Sequence, residues 1–331
     1  MVDLRPLSLG EIIDRSASIW RANWRALFKL FLGFQLATYI LMKGWELVGK
    51  TYFPVSRGGS RMVEMIQANP LEAVRQLGGS TLVAVAITWL SVFFSTFVAV
   101  VATRYLYPQL LGKRASLGES LQFTWGKRGA ILGFYLLMTG WTLLVLVLAL
   151  IPGSALFGGA FLVESGPASV VLGGLGVLGV VAALIGVVLW FFLRFMLASQ
   201  VLALEEAGAL GAFRRSNELS SGRVAEGLIG LTKVRLAIVF TVVAVIIMIV
   251  SVLFTIPQAV VQLVYANPFN PAGANLDAVP ALLAVPTELL QVFAQTVIAP
   301  LWVVFDLVFY TDMRVRREGL DLELKLKEAQ A

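Results

Sequence analysis

The chain contains no cysteine and no histidine. The first absence excludes disulfides and thiolate metal sites. The second removes the usual proton shuttle near neutral pH and the commonest metal ligand. Charge is scarce too: 14% of residues are charged against 58% hydrophobic, and mean hydropathy is +0.85. A soluble chain carries about 25% charged residues, so water is not the main solvent here. Also missing are a glycine-rich phosphate loop, a nucleophile elbow and a metal-ligand cluster. Glu205 and Glu206 are adjacent, so on a helix they point apart and make a poor catalytic dyad. The expectation is a protein without enzymatic activity or cofactor. No removable signal is legible before Pro6, so the first span is expected to serve for insertion.

What the chain has instead is long apolar runs. A spanning helix needs about 20 mostly apolar residues. Six candidates run from Leu27 to Val48, Ser80 to Thr103, Gly129 to Ile151, Val170 to Leu193, Leu236 to Ile256 and Thr287 to Phe309. Barrel strands would be about ten residues long with alternating polarity. Unpaired amides in lipid cost several kcal/mol each, so continuous runs of this length read as helices.

Lys and Arg orient the spans. They gather at Arg5 to Arg25, at Lys113 to Arg128, at Arg214 to Arg235 and at Arg314 to Lys327, whereas the connections around Glu164 and Asp277 have none. That pattern places both termini on the cytoplasmic side of the membrane. It also assigns the net charge of +6 to topology and anionic lipid headgroups rather than nucleic acid. The segment from Lys50 to Gly79 dissents, with Lys50, Arg57, Arg61 and Arg75, and reads as one or two short outer helices.

An internal repeat is legible as well. Ser8-Leu9-Gly10-Glu11 recurs as Ser116-Leu117-Gly118-Glu119, and Arg15-Ser16 aligns with Arg215-Ser216. Each copy leads into a span followed by an apolar residue and proline: Phe53-Pro54, Ile151-Pro152 and Ile256-Pro257. Proline interrupts the helical ladder, so each of these spans is expected to stop there. The reading is an all-α polytopic membrane protein, a single membrane domain over 1–331. It has six transmembrane helices in three repeats, each an amphipathic interfacial helix plus two spans, at about 8–107, 116–204 and 208–312, then a charged cytoplasmic tail over 313–331. Two-span units re-enter with the same polarity, so these are parallel repeats about an axis along the membrane normal.

From Val201 the chain reads Val-Leu-Ala-Leu-Glu-Glu, then Gly208 to Ser216, Leu219 and Gly222-Arg223, and later Tyr310-Thr311-Asp312-Met313-Arg314 through Asp321. With these segments the whole chain resembles the bacterial glycerophosphoryl diester phosphodiesterase membrane-domain family, which includes uncharacterised six-helix inner-membrane proteins. Members commonly carry a proline before the first of these glutamates and a tryptophan after Gly-Arg, where this chain has Ser199 and Val224. The resemblance implies a membrane module without the separate histidine-bearing catalytic domain.

Two sets of candidate site residues follow. Arg214, Arg215, Ser216, Arg223, Arg314 and Arg317 are expected on the cytoplasmic surface, docking anionic headgroups or membrane and cytoplasmic protein partners, or else serving only as a topology anchor. Within the spans the polar candidates are Lys43, Glu46, Arg104, Arg194, Glu288, Gln291, Gln295 and Asp306. Such groups either face a bundle interior or lie near an interface and are solvated. Lys43 and Glu46 are spaced to pair locally, and Asp306 is expected to pair with Arg104 or Arg194. The small residues Gly179, Ala183, Ala182 and Gly186 mark a close-packing face. The functional expectation is a non-catalytic organiser of partners or lipids. The alternative is a small-solute transporter or channel built on the polar faces of the first and sixth spans.

Overall fold

The computed structural model describes residues 5–52, 67–160, 162–163, 166–265 and 279–330. In chain order the helices are α1 (Leu9–Tyr52), α2 (Pro70–Leu110), α3 (Leu117–Gly126), α4 (Arg128–Ala160), α5 (Pro167–Phe195), α6 (Ala198–Leu204), α7 (Ala209–Ser220), α8 (Thr232–Tyr265), α9 (Ala281–Glu318) and α10 (Leu320–Ala329). A 3-10 turn at Leu228–Gly230 separates α7 from α8. Among the described residues there is no β-strand, only an isolated bridge between Arg223 and Leu231.

Six helices are long and apolar enough to cross a membrane: α1, α2, α4, α5, α8 and α9. Each contains one of the six apolar runs. The best apolar window of α9 is 56% buried in protein, against 11–17% in the other five. The last span is therefore the protein-facing one, and the others leave most of their Leu, Ile and Val side chains for hydrocarbon.

The helices are longer than the apolar runs and are joined differently from the expectation. Pro152 lies inside α4 and Pro257 inside α8, so neither proline ends its span. Proline removes one helical hydrogen bond, but in a spanning helix neighbouring groups re-satisfy the freed carbonyl, whereas ending the helix in lipid would expose several. Pro54 and the residues around Arg57, Arg61, Glu64, Glu164 and Asp277 lie outside the described residues. From Pro70 to Gly79 the chain is the opening of α2 rather than a separate outer helix. The amphipathic segment expected before the first span is likewise not separate, because α1 runs unbroken through it and the span. The tail does not leave as one helix: Gly319 adopts a left-handed conformation (φ 64°) between α9 and α10.

Local chemistry explains where helices begin. Ser8 and Glu11 form a reciprocal capping box: Ser8 N–H donates to Glu11 Oε2 at 2.6 Å, and Glu11 N–H donates to Ser8 Oγ at 3.3 Å. The recurring Ser116-to-Glu119 motif also sits at a helix start, but Ser116 makes no side-chain cap bond.

The chain divides into two compact units. The first comprises Met1–Ile12, Thr103–Val239 and Asp306–Ala331, the second Ile13–Ala102 and Phe240–Phe305. In the first unit α4 and α5 pack closely through glycine. A Cβ on Gly176 would stand 2.5 Å from the Phe157 backbone nitrogen, and one on Gly153 would stand 2.7 Å from that of Val180. Gly179 approaches Gly153, whereas a Cβ on Gly186 would meet nothing, so only part of the expected small-residue face is the contact. Phe213 of α7 then seals against Phe195 and Phe134, with ring centroids 3.9 and 5.4 Å apart. In the second unit Phe28 meets Phe293 edge-on at 5.6 Å and Phe240 stacks on Trp302 at 4.9 Å.

Candidate functional site

Asp312 is the centre of the first unit's charged end. It is 1% exposed and is reached from α8, from its own helix α9 and from the segment that leads into α1. Leu7 N–H donates to it at 2.7 Å, Arg316 Nε at 3.0 Å and Arg235 Nη2 at 3.4 Å. Both arginines also donate to the Leu7 carbonyl, Arg316 at 2.7 Å. A carboxylate so deeply buried is stable only when paired and hydrogen-bonded, and these donors meet that condition.

A second knot is centred on Glu205 and Glu318. Arg215 Nε donates to Glu205 at 3.0 Å, and the Tyr310 hydroxyl donates to the same carboxylate at 2.7 Å. Glu318 accepts from Arg314 at 2.8 Å and from Arg215. Burial pulls the Arg215 guanidinium down in pKa, but the Glu318 hydrogen bond and the Glu205 charge outweigh it and leave it raised. Arg317 donates to the carbonyls of Glu218 (2.6 Å) and Ser221, and to the Thr232 hydroxyl at 2.9 Å. It thereby closes the α7–α8 connection, where Gly222 has φ +91° and a Cβ would stand 3.0 Å from the Arg317 guanidinium. The glycine of Gly222-Arg223 is thus favoured by its backbone conformation, and a Cβ there would press on the end of the Arg317 side chain.

Of the six surface-contact candidates, four are engaged within their own unit. Arg215, Arg314 and Arg317 spend their donors on carboxylates and carbonyls of their own unit, and Ser216 is fully buried, donating to the Arg194 carbonyl at 3.0 Å. Arg214 and Arg223 remain exposed, although Arg214 pairs with Glu218 one helical turn away at 2.8 Å. Geometry also corrects the Asp306 pairing. The Arg194 guanidinium lies over Trp190 and Phe195 at 5.1 and 5.6 Å, and that of Arg104 lies over Phe123 at 4.2 Å. Asp306 forms no ion pair among the described residues. Its Oδ1 is buried without a hydrogen-bond partner, beside the buried amide of Gln200. Lys127 shares the Phe123 ring with Arg104 and donates to the carbonyls of Leu202 (3.2 Å) and Glu205 (2.8 Å). Burial, then the Arg104 charge, lower its pKa.

The second unit holds the other cluster. Lys43 donates to Glu46 at 2.6 Å and to Glu288 at 2.7 Å, and the Tyr39 hydroxyl donates to Glu288 at 3.0 Å. The local Lys43–Glu46 pair was legible from spacing; the reach across to Glu288 was not. Lys43, Glu46 and Glu288 border a pocket of ≈ 250 Å³ whose polar lining also includes Gln258, Gln262 and Thr287. Gln291 is half-buried and Gln295 exposed, and neither lines the pocket. Among the described residues no group of acidic side chains is arranged to hold a metal ion.

Sequence reasoning missed Asp312, Arg235, Arg316 and Gln258 as partners in these clusters. A signal for Asp312 existed: it is a lone acid four residues before Arg316, in an otherwise basic stretch. Gln258, beside Pro257 in an apolar helix, was a polar residue without an evident interface.

These features define an integral, multi-pass, all-α membrane protein. Comparison with known protein families, curated proteins and solved structures finds no match to the chain.

Proposed function

We propose that this is a non-catalytic protein of the bacterial inner membrane, both termini cytoplasmic, that organises anionic lipids and partner proteins at its basic end. The resemblance to the glycerophosphoryl diester phosphodiesterase membrane-domain family, and the threefold repeat, belong to this reading. In its support, the residues that carry the resemblance touch one another: Glu205, Arg215, Tyr310 and Glu318 form one knot.

The observation that carries the proposal is the polarity of α3. This helix turns Ser120 and Thr124 inward, where each hydroxyl donates to the carbonyl four residues back, and turns Leu121 and Trp125 outward. In water that arrangement is inverted; at a membrane boundary it is the favourable one. Arg128 lies over the exposed Trp125 ring at 5.6 Å, and Lys113 and Arg114 are exposed just before the helix. The α7–α8 connection repeats the theme, with Leu228 and Ile229 exposed between Arg223 and Lys233. The arginine knots give this surface a rigid base.

The test is the lipid that co-purifies. Replacing Arg114, Arg128 and Arg223 together with Gln removes cations each contributing about 1 kcal/mol near an anionic surface. Anionic phospholipid per protein, read by native mass spectrometry, should fall severalfold while zwitterionic lipid stays constant. Unchanged anionic lipid, with unchanged co-purifying proteins, contradicts the proposal. A second reading, movement of a small solute, draws on the Lys43–Glu288 cluster and predicts flux in proteoliposomes that Glu288→Gln alters.

A further inference from the structure

The loop that joins α7 to α8 is short, braced and apolar at its tip. Its two legs pair: Val224 N–H donates to the Gly230 carbonyl at 2.8 Å and Thr232 N–H to that of Gly222 at 3.0 Å, on either side of the Arg223–Leu231 bridge. Gly230 is buried against the opposite leg, where a Cβ would overlap the Ala225 carbonyl. Arg317 grips the base from α9 through the carbonyls of Glu218 and Ser221 and the Thr232 hydroxyl. A loop tied at so many points holds its apex out, and that apex is Leu228 and Ile229, 76% and 59% exposed. Apolar residues scattered singly on a surface need no explanation. Here two large ones are adjacent, and the backbone is fixed to present them.

Their position selects what they meet. Thr232 opens α8, and the apolar run of that span begins four residues later at Leu236. Four residues of helix rise about 6 Å, and each headgroup layer of a bilayer is about 5–7 Å thick. When α8 spans, the base of the loop therefore stands at headgroup level, where lipid rather than a soluble partner is the neighbour. Arg223 and Lys233 are exposed on either side of the apex and suit lipid phosphates, and Glu226 is the loop's single acid. An apolar tip flanked by cations fits the boundary between headgroups and acyl chains. We propose that the α7–α8 loop is a rigid wedge that seats Leu228 and Ile229 between the headgroups of the leaflet on its own side, while Arg223 and Lys233 contact phosphate. The inference rests on reading this end as membrane-facing, but not on any preference for anionic lipid.

The chain has no cysteine, so a single introduced one carries the only thiol label. Leu228→Cys, Ile229→Cys and Glu226→Cys are each spin-labelled in the full-length protein and reconstituted into nanodiscs of phosphatidylethanolamine and phosphatidylglycerol. All three positions are exposed, so the label displaces no packed side chain. Power saturation then compares collisions with oxygen, which partitions into acyl chains, and with a water-soluble nickel chelate. The ratio of oxygen to nickel access should be severalfold higher at Leu228 and at Ile229 than at Glu226. A ratio at either apex position no higher than at Glu226 means an apex in water and overturns the proposal. Low access to both reagents at Leu228 and Ile229 means that protein covers them, and overturns it equally. The two readings fail separately. High apex ratios with unchanged lipid in the Arg114, Arg128 and Arg223 variant leave the wedge and remove the anionic-lipid reading; flat ratios with anionic lipid lost from that variant do the reverse.

Discussion

Asp312 in the first unit and Glu288 in the second are both carboxylates held by a cation and a second donor, yet their surroundings differ. Asp312 is 1% exposed and sits among two arginines and a backbone N–H, with the Leu7 carbonyl taking the spare guanidinium donors. The Glu288 side chain is 22% exposed and opens onto a pocket. The first arrangement is buried: its donors meet acceptors of their own unit apart from the Arg235 Nε, and removing one member leaves buried charge behind. In the second, the charged groups line a pocket and keep access to solvent. One cluster holds its helices together from within; the other stands at the edge of a pocket.

Breaking the closed cluster should have the largest effect. Asp312→Leu leaves Arg235 buried without its counter-charge, and removing one partner of a buried pair costs about 3–5 kcal/mol. The expected readout is a lower midpoint and a smaller monodisperse fraction on heating in detergent. Gly176→Ala comes next, because its Cβ would meet the Phe157 backbone at 2.5 Å. Overpacking costs about 1–3 kcal/mol, enough to outweigh the helix-propensity gain of about 1 kcal/mol. Arg317→Lys keeps the charge but loses the planar fork that reaches three acceptors, a loss of about 1–2 kcal/mol in the same assay. Glu288→Gln should cost about 1 kcal/mol or less, because its partners keep access to solvent. Arg214→Ala is the smallest: its side chain is 85% exposed, and an i,i+4 pair there contributes under about 0.5 kcal/mol. A reversal of this order between Asp312 and Glu288 would break the comparison.

The spans were legible because hydrocarbon demands a long uninterrupted apolar run, and such runs admit few alternatives. Their ends were not, because Pro152 and Pro257 obey a local rule that the membrane overrides. The repeated Ser-Leu-Gly-Glu motif gains a physical account at Ser8, as a helix cap, although Ser116 does not use it in the same way. Lys43–Glu46 was readable at three residues' separation. The Lys43–Glu288 contact spans 245 positions and that of Arg215 with Glu318 spans 103, and no periodicity reports such distances. For the same reason the arginines looked like a surface for partners. Counting them does not say which side chains are free, and only the fold tells an exposed guanidinium from one that braces a helix.

The most direct measurement is a side-by-side thermal unfolding of Asp312→Leu and Glu288→Gln in one detergent against the parent chain. The account predicts a clear fall in midpoint for the Asp312 variant and a Glu288 variant close to the parent. Equal midpoints for Asp312→Leu and the parent, or a larger fall for Glu288→Gln, would contradict it.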